Sequence, residues 1–194
     1  MIQVYRKMVR SLSEIKGFDG WMIAKAELEA EECKLYNDIN IETTEAVILR
    51  QRRHYSAIMS KAVYNGIIYK LIMHIVKPAR NHLAQKYTNT DGIYCLTLKY
   101  AQNDIKQFVY DVGDSNYIHQ TGRYVVPGFL VFEDILNMFI ENTDFKIGKC
   151  TMLFNNPAFA GEIINVSKVS EGRFKLIISG KDEVYGDAIY NRRS

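Results

Sequence analysis

Hydrophobic positions along the first ninety residues recur mostly at three- and four-residue steps. Ile2, Tyr5, Val9, Leu12 and Ile15 form one such stripe, ended by Gly17, and predict an amphipathic helix over 2–16. Asp19 is placed to cap a second helix reaching about Leu35, with Trp21, Met22 and Ile23 in its first turn. Thr43 or Thr44 can cap a third. On a helical wheel Ile48, Tyr55, Ile58, Met59, Ala62 and Val63 share a side, opposite Arg50, Arg53, His54 and Lys61. A further stripe of Ile68, Leu71, Ile72, Ile75, Val76, Ala79 and Leu83 lies about 180° from the preceding one when the wheel is carried through at the helical rotation per residue. The reversal falls at Asn65-Gly66 and predicts a helical hairpin or one long helix buried on alternate sides, kinked or restarted at Pro78.

Beyond Thr88-Asn89-Thr90-Asp91-Gly92 the period becomes two. Tyr94, Leu96, Leu98 and Tyr100 alternate with Cys95, Thr97 and Lys99, as in a half-buried strand. Gln102-Asn103-Asp104 reads as a turn and 105–112 as the returning strand. A short strand is expected at 123–126, a short helix at 129–140 and a strand at 149–154. A hairpin is expected from 162–169 and 173–179 through Ser170-Glu171-Gly172. The fold class is therefore α+β, with a helical part at 1–90 and a β-rich part at 91–194, or both in one continuous domain.

Charge changes this picture more than composition does. The 194 residues are 47% hydrophobic and 24% charged, an ordinary globular balance. The net charge is +3, but residues 43–90 hold eight basic side chains and one acidic, Glu45. Such a concentration steers acidic partners or nucleic acid, unless it is simply a solvated face countered by Glu27, Glu29, Glu31 and Glu32. Arg50, Arg53, Lys61, Lys77 and Arg80 are the candidates for contact with an acidic partner or DNA. No helix-turn-helix, zinc-finger or RNA-binding signature accompanies them.

Local motifs exclude the well-marked enzyme classes. Phosphate-cradling glycine loops and a nucleophile elbow are absent. Asp111-Val-Gly-Asp114-Ser-Asn116 resembles a fragment of an oxygen-rich calcium loop. Gly122 stands where that loop needs its twelfth-position glutamate, so a β-turn explains it better. His54, His74, His82 and His119 form no chelating pair, and Asp104, Asp111 and Glu133-Asp134 are carboxylates that no spacing singles out. Neither a metal nor a cofactor is expected. Cys33, Cys95 and Cys150 are too dispersed for zinc and odd in number for bridges, which predicts reduced thiols. The N-terminus lacks a signal-peptide core, and the apolar run 66–76 is too short to span a bilayer. The 13 tyrosines suit either interfaces or strands.

Amphipathic helices through 2–87, followed by hairpins in 93–112 and 162–179, resemble the ring-forming head–tail connectors of tailed bacteriophages. That resemblance implies a non-enzymatic virion subunit assembled in the bacterial cytoplasm. Its partners would be its own copies and other virion proteins, with DNA passing nearby. Ile68, Leu71, Ile72 and Ile75 would then form the subunit interface. A nucleic-acid-binding protein using 43–90 and an enzyme with a dispersed site are the alternatives.

Overall fold

The computed structural model describes residues 3–30, 42–43, 45–64, 66–78, 94–141, 147–181 and 183–192. Among these, ten strands form one antiparallel sheet, and three α-helices accompany it.

The first helix, α1 (Gln3–Ser13), agrees with the expected stripe and buries Val4, Tyr5, Met8, Val9 and Leu12. The second expected helix is instead strand β1 (Met22–Ala30). Ala26, Leu28 and Ala30 are buried and alternate with Lys25, Glu27 and Glu29, so period two decides the outcome although Ala, Glu and Leu favour helix. The expected third and fourth helices are also strands: β2 (Glu42–Thr43), β3 (Val47–Arg52), β4 (Tyr55–Tyr64) and β5 (Ile67–Val76). Strands β4 and β5 pair in unbroken register from Tyr55↔Val76 to Tyr64↔Ile67. The reversal of the apolar stripe is thus the two-residue turn of a β-hairpin. Asn-Gly suits such a turn, and Gly66 has the positive φ of 76° that it requires. The part of the fourth expected helix beyond Pro78, including Arg80, lies outside the described residues, as does Cys33.

Strand β6 (Tyr94–Lys99) is followed by α2 (Gln102–Val112), where a turn and a returning strand were expected. Asp104 accepts a hydrogen bond from the Ala101 N–H at 2.7 Å, so the polar triplet is a helix start. Ile105, Phe108, Val109 and Val112 are buried at helical spacing. Residues 123–126 supply only an isolated bridge, Val125↔Phe159. The expected short helix is α3 (Gly128–Glu141). Strand β7 (Ile147–Phe154), the hairpin of β8 (Ile163–Ser170) and β9 (Arg173–Ile178), and β10 (Glu183–Arg192) complete the chain.

The sheet order is β2-β4-β5-β1-β7-β10-β9-β8-β6, with β3 also on β4 beside β2. The central pair is β1 with β7, joined through Leu28↔Cys150. From that seam the two sides run alike: β5, β4 and β3 on one, β10, β9 and β8 on the other. Helix α1 packs on β4 and β5, and α3 on β7 and β1. Tyr5 of α1 meets Phe129 and Phe132 of α3 edge to face at 6.1 and 5.9 Å. Leu28, Leu71, Cys150, Met152 and Ala188 line the inner face of the sheet. Burying a side chain of leucine size contributes about 1.5–3 kcal/mol.

On the opposite face the seam is charged. Glu27, only 7% exposed, accepts from Lys149 at 2.8 Å, Lys25 at 3.0 Å and His74 Nε2 at 3.0 Å. Tyr55 Oη lies 2.7 Å from His74 Nδ1. Burial alone would raise the Glu27 carboxyl, but the hydrogen bonds from Lys149, Lys25 and His74 outweigh it and hold the pKa at about 2.

Candidate functional site

Helix α2 ends on Gly113, whose φ of 66° is left-handed. The Asp114 N–H returns to the Val109 carbonyl at 3.0 Å, so the chain reverses and Asp114 leaves the helix at its tip. Asp114 Oδ1 accepts from the Asn116 N–H at 2.9 Å, a local Asx turn. A 3-10 turn, Tyr117–His119, follows. These tight turns bring the His119 Nε2 to 3.7 Å from Asp114 Oδ2.

His119 is nearly buried at 7% exposure, and its Nδ1 lies 2.8 Å from the Val125 carbonyl. A carbonyl only accepts, so Nδ1 carries the proton, and in the neutral ring Nε2 presents a lone pair beside the carboxylate. At 3.7 Å the two groups are too far apart for a direct bond. They are close enough to hold one oxygen atom between them within reach of both.

Both side chains line a cavity of about 360 Å³. Leu12, Ile15, Phe18, Trp21, Ile23 and Phe154 contribute apolar walls, and the segment 16–19 with Lys77 and Pro78 adds further lining. The first half thus supplies much of the wall and the second half the titratable pair. Asn116 joins them. Its Oδ1 accepts from the Gly20 N–H at 3.0 Å, and its Nδ2 donates to the Trp21 carbonyl at 3.0 Å.

A third component is the start of α3. Gly128 and Phe129 line the cavity, and Leu130 is the first residue whose N–H reaches back to the Pro127 carbonyl, at 3.0 Å. The N–H groups before it have no intrahelical acceptor by construction and carry the positive end of the helix dipole. A Cβ on Gly128 would sit 3.0 Å from the Phe154 ring, so glycine permits this close packing. Tyr5 Oη donates to the Phe129 carbonyl at 2.7 Å. Behind it Arg6 binds Glu133 at 2.8 Å and Asp111 at 2.6 Å, tying α1 to α2 and α3. Burial pushes the Glu133 and Asp134 carboxyls up, against the pull of Arg6 on the first and of the Tyr100 hydroxyl on the second.

The residues singled out by charge and apolar pattern fall elsewhere, with two exceptions. Arg50 on β3, Arg53 in the β3–β4 turn and Lys61 on β4 are exposed. Lys77 is exposed and lines the cavity. Ile68 is 51% exposed and Ile72 half-buried. Leu71 and Ile75 belong to the chain's own core, and Ile75 also lines the cavity. Asp114 lay within the segment read as a plain turn, and His119 was assigned no role. The usable signal was their combination: a glycine able to end a helix, an aspartate, an Asx-turn asparagine and a histidine within seven residues. No group of three or more His, Cys, Asp or Glu among the described residues is arranged to hold a metal. Among the same residues, no helix is long and apolar enough to cross a membrane.

No protein-family model and no curated protein matches the chain. Solved structures do match. HtdX from Mycobacterium tuberculosis superposes with a TM-score of 0.66 at 13% identity, covering 93% of this chain and 78% of that one. A MaoC-like dehydratase from Phytophthora capsici gives 0.56 at 13% identity, covering 92% and 72%. An acyl-ACP thioesterase from Bacteroides thetaiotaomicron gives 0.53 at 15% identity, covering 88% and 76%. At these identities the likeness establishes the fold, the hot-dog fold of such dehydratases and thioesterases. It overturns the resemblance to phage connectors, the α+β arrangement of helices followed by hairpins, and with them the expectation of a non-enzymatic virion subunit. The apolar reversal that suggested a ring interface is accounted for by the β4–β5 hairpin.

Proposed function

We propose that this protein is an enzyme that adds water to, or removes it from, an acyl thioester. The observation that carries the reading is the Asp114–His119 pair set in the wall of an apolar cavity. The likeness in fold to a dehydratase and to an acyl-ACP thioesterase supports the substrate class.

In the hydration direction, a water molecule sits between Asp114 Oδ2 and His119 Nε2. Nε2 accepts one of its protons as the oxygen bonds to Cβ of a 2-enoyl thioester. The π electrons move toward the thioester oxygen, whose developing charge faces the free N–H groups at the start of α3. The imidazolium then gives its proton to Cα. The product is a 3-hydroxyacyl thioester and the dyad is restored. Nδ1–H stays on the Val125 carbonyl throughout, which fixes the ring and leaves Nε2 to carry the proton.

The test is turnover of a short 2-enoyl thioester, followed both by loss of enoyl absorbance and by release of free thiol. Loss of absorbance without thiol is expected. His119→Ala and Asp114→Asn should each lower kcat by about 10²–10⁴-fold while remaining folded, as judged by an unchanged circular dichroism spectrum. Thiol release without hydration would instead assign the dyad to thioester hydrolysis. Full activity in both variants would remove it from the chemistry.

A further inference from the structure

The last strand brings a further polar group to the cavity. In the register of β10 with β9, Val184 faces Ile177 and Gly186 faces Leu176, so Tyr185 is the extra residue of a bulge. Such a bulge re-aims a side chain. Val184 and Tyr185 are consecutive, yet both are buried, at 1% and 2% exposure. The turn after β7 holds the bulge in place. The Asn155 N–H donates to the Tyr185 carbonyl at 2.8 Å, and Asn156 Nδ2 donates to the Val184 carbonyl at 2.7 Å. Tyr185 thereby lines the same cavity as Asp114 and His119. Two contacts set it beside the first turn of α3. Phe154, which packs on Gly128, meets the Tyr185 ring edge to face at 5.9 Å. The Tyr5 hydroxyl, bonded to the Phe129 carbonyl, is raised first by burial and then by Glu133, Asp134 and Tyr185, so Tyr185 lies within electrostatic reach of it.

The Tyr185 hydroxyl makes no hydrogen bond to another described residue. Buried hydroxyls ordinarily find a partner, and one left unpaired costs stability. At a cavity wall, the partner is what enters the cavity. We propose that the Tyr185 hydroxyl donates a hydrogen bond to the thioester oxygen of the substrate, alongside the free N–H groups at the start of α3. The inference rests on the acyl-thioester reading above and adds a catalytic residue to the dyad. As water bonds to Cβ, negative charge collects on that oxygen. A donor already in place in an apolar wall stabilises the charge without reorganisation. The hydroxyl keeps its proton throughout, because His119 returns to Cα the proton it took from water. Burial pushes the Tyr185 hydroxyl well up, so at neutral pH it is protonated and available as a donor.

The variant that tests this is Tyr185→Phe, which removes only the oxygen and keeps the ring against Phe154. Because that oxygen has no protein partner, the variant should melt no lower than the wild type. On a short 2-enoyl thioester of N-acetylcysteamine, kcat and kcat/KM should fall together by about 10²-fold, as when one donor to a developing charge is lost. A second readout needs no turnover. The acetoacetyl thioester of N-acetylcysteamine forms an enolate with its own ultraviolet absorbance, and the enolate charge is shared by the same thioester oxygen. On the wild type it should enolise about two pH units lower than on Tyr185→Phe, the shift equivalent to that fold-change. Equal kinetics and equal enolisation in the two proteins would overturn the proposal and leave the acyl-thioester reading standing. A raised KM with kcat unchanged would overturn it as well, since the hydroxyl would then hold substrate and transition state alike. A wild-type protein that neither turns over the enoyl thioester nor enolises the acetoacetyl one removes both.

Discussion

Residues 22–76 and 147–192 build the same half-sheet twice, yet they serve the molecule differently. Each begins with a strand at the seam and continues through antiparallel neighbours: β3, β4 and β5 in the first, β8, β9 and β10 in the second. Each is preceded by a helix that packs on the inner face. What differs is what lies beside each at the cavity. Ahead of α3 lies the turn-rich stretch 113–127, with Asp114, Asn116 and His119. The first half gives Ile23, Met73 and Ile75 to the cavity wall. The candidate pair therefore sits beside one half, and the other furnishes wall. The lesson is that a repeated topology does not repeat a site; the site comes from the connection.

The sharpest break of this likeness is at Gly186 on β10. A Cβ there would meet the Leu153 carbonyl oxygen at 2.1 Å, and backbone cannot move aside without parting β10 from β7. Gly186→Ala should destabilise the protein by more than about 3 kcal/mol, at the far end of single-mutation effects, or leave it insoluble. Gly66→Ala, at the hairpin turn of the other half, meets nothing within 4 Å and pays only for its positive φ, about 1–2 kcal/mol. Denaturant melts of the two variants check the ranking, and an equal cost would contradict it.

The bond between the halves can be tested at Asn116. Asn116→Ala removes the side chain that holds Gly20 and Trp21 and should cost about 1–3 kcal/mol through the groups left unpaired. Because the same residue shapes the loop bearing the dyad, KM should rise as well. A variant that loses stability with unchanged KM would show that the two halves are joined there without bearing on the cavity.

Acid tests the seam itself. The Glu27 pKa falls from an ordinary 4.5 to about 2 on folding. A carboxylate held low in the folded state stabilises it above the unfolded pKa, and that contribution is lost as pH falls from about 4.5 toward about 2. Glu27→Gln should flatten the stability profile over that window and leave Lys149 without one of its two carboxylate partners. An unchanged acid limb in the variant would assign acid sensitivity elsewhere.

Much of the second half was legible from the chain. The stripe of α3 and the hairpin of β8 and β9 follow from period and turn residues, as does α1 in the first half. The middle of the chain misleads for a physical reason. Along β4 the residues facing inward are Ile58, Ser60, Ala62 and Tyr64, all buried. Two of these four are serine and alanine, so their alternation carries little hydrophobic contrast, while Ile58, Met59, Ala62 and Val63 mimic helical steps. In β1 the alternation was plain, but alanine, glutamate and leucine spoke for helix, and only pairing with β5 and β7 on both sides decides it. The candidate site was legible in its parts. Its closure depends on the left-handed turn at Gly113 and on Asn116 bonding to a segment almost a hundred residues earlier, and neither has a periodic signature.

The seam between β1 and β7 also sets an order of events. Leu28 must find Cys150 across most of the chain, and contacts of such sequence separation are slow to form because the loop between them must first be closed. As the polypeptide leaves the ribosome, β1 acquires its partner β5 early and exposes its other edge until β7 has been made. During that interval the half-sheet presents an open edge to neighbouring chains. The pairing that unites the finished cavity is thus also the step at which a nascent chain is most exposed to misassembly.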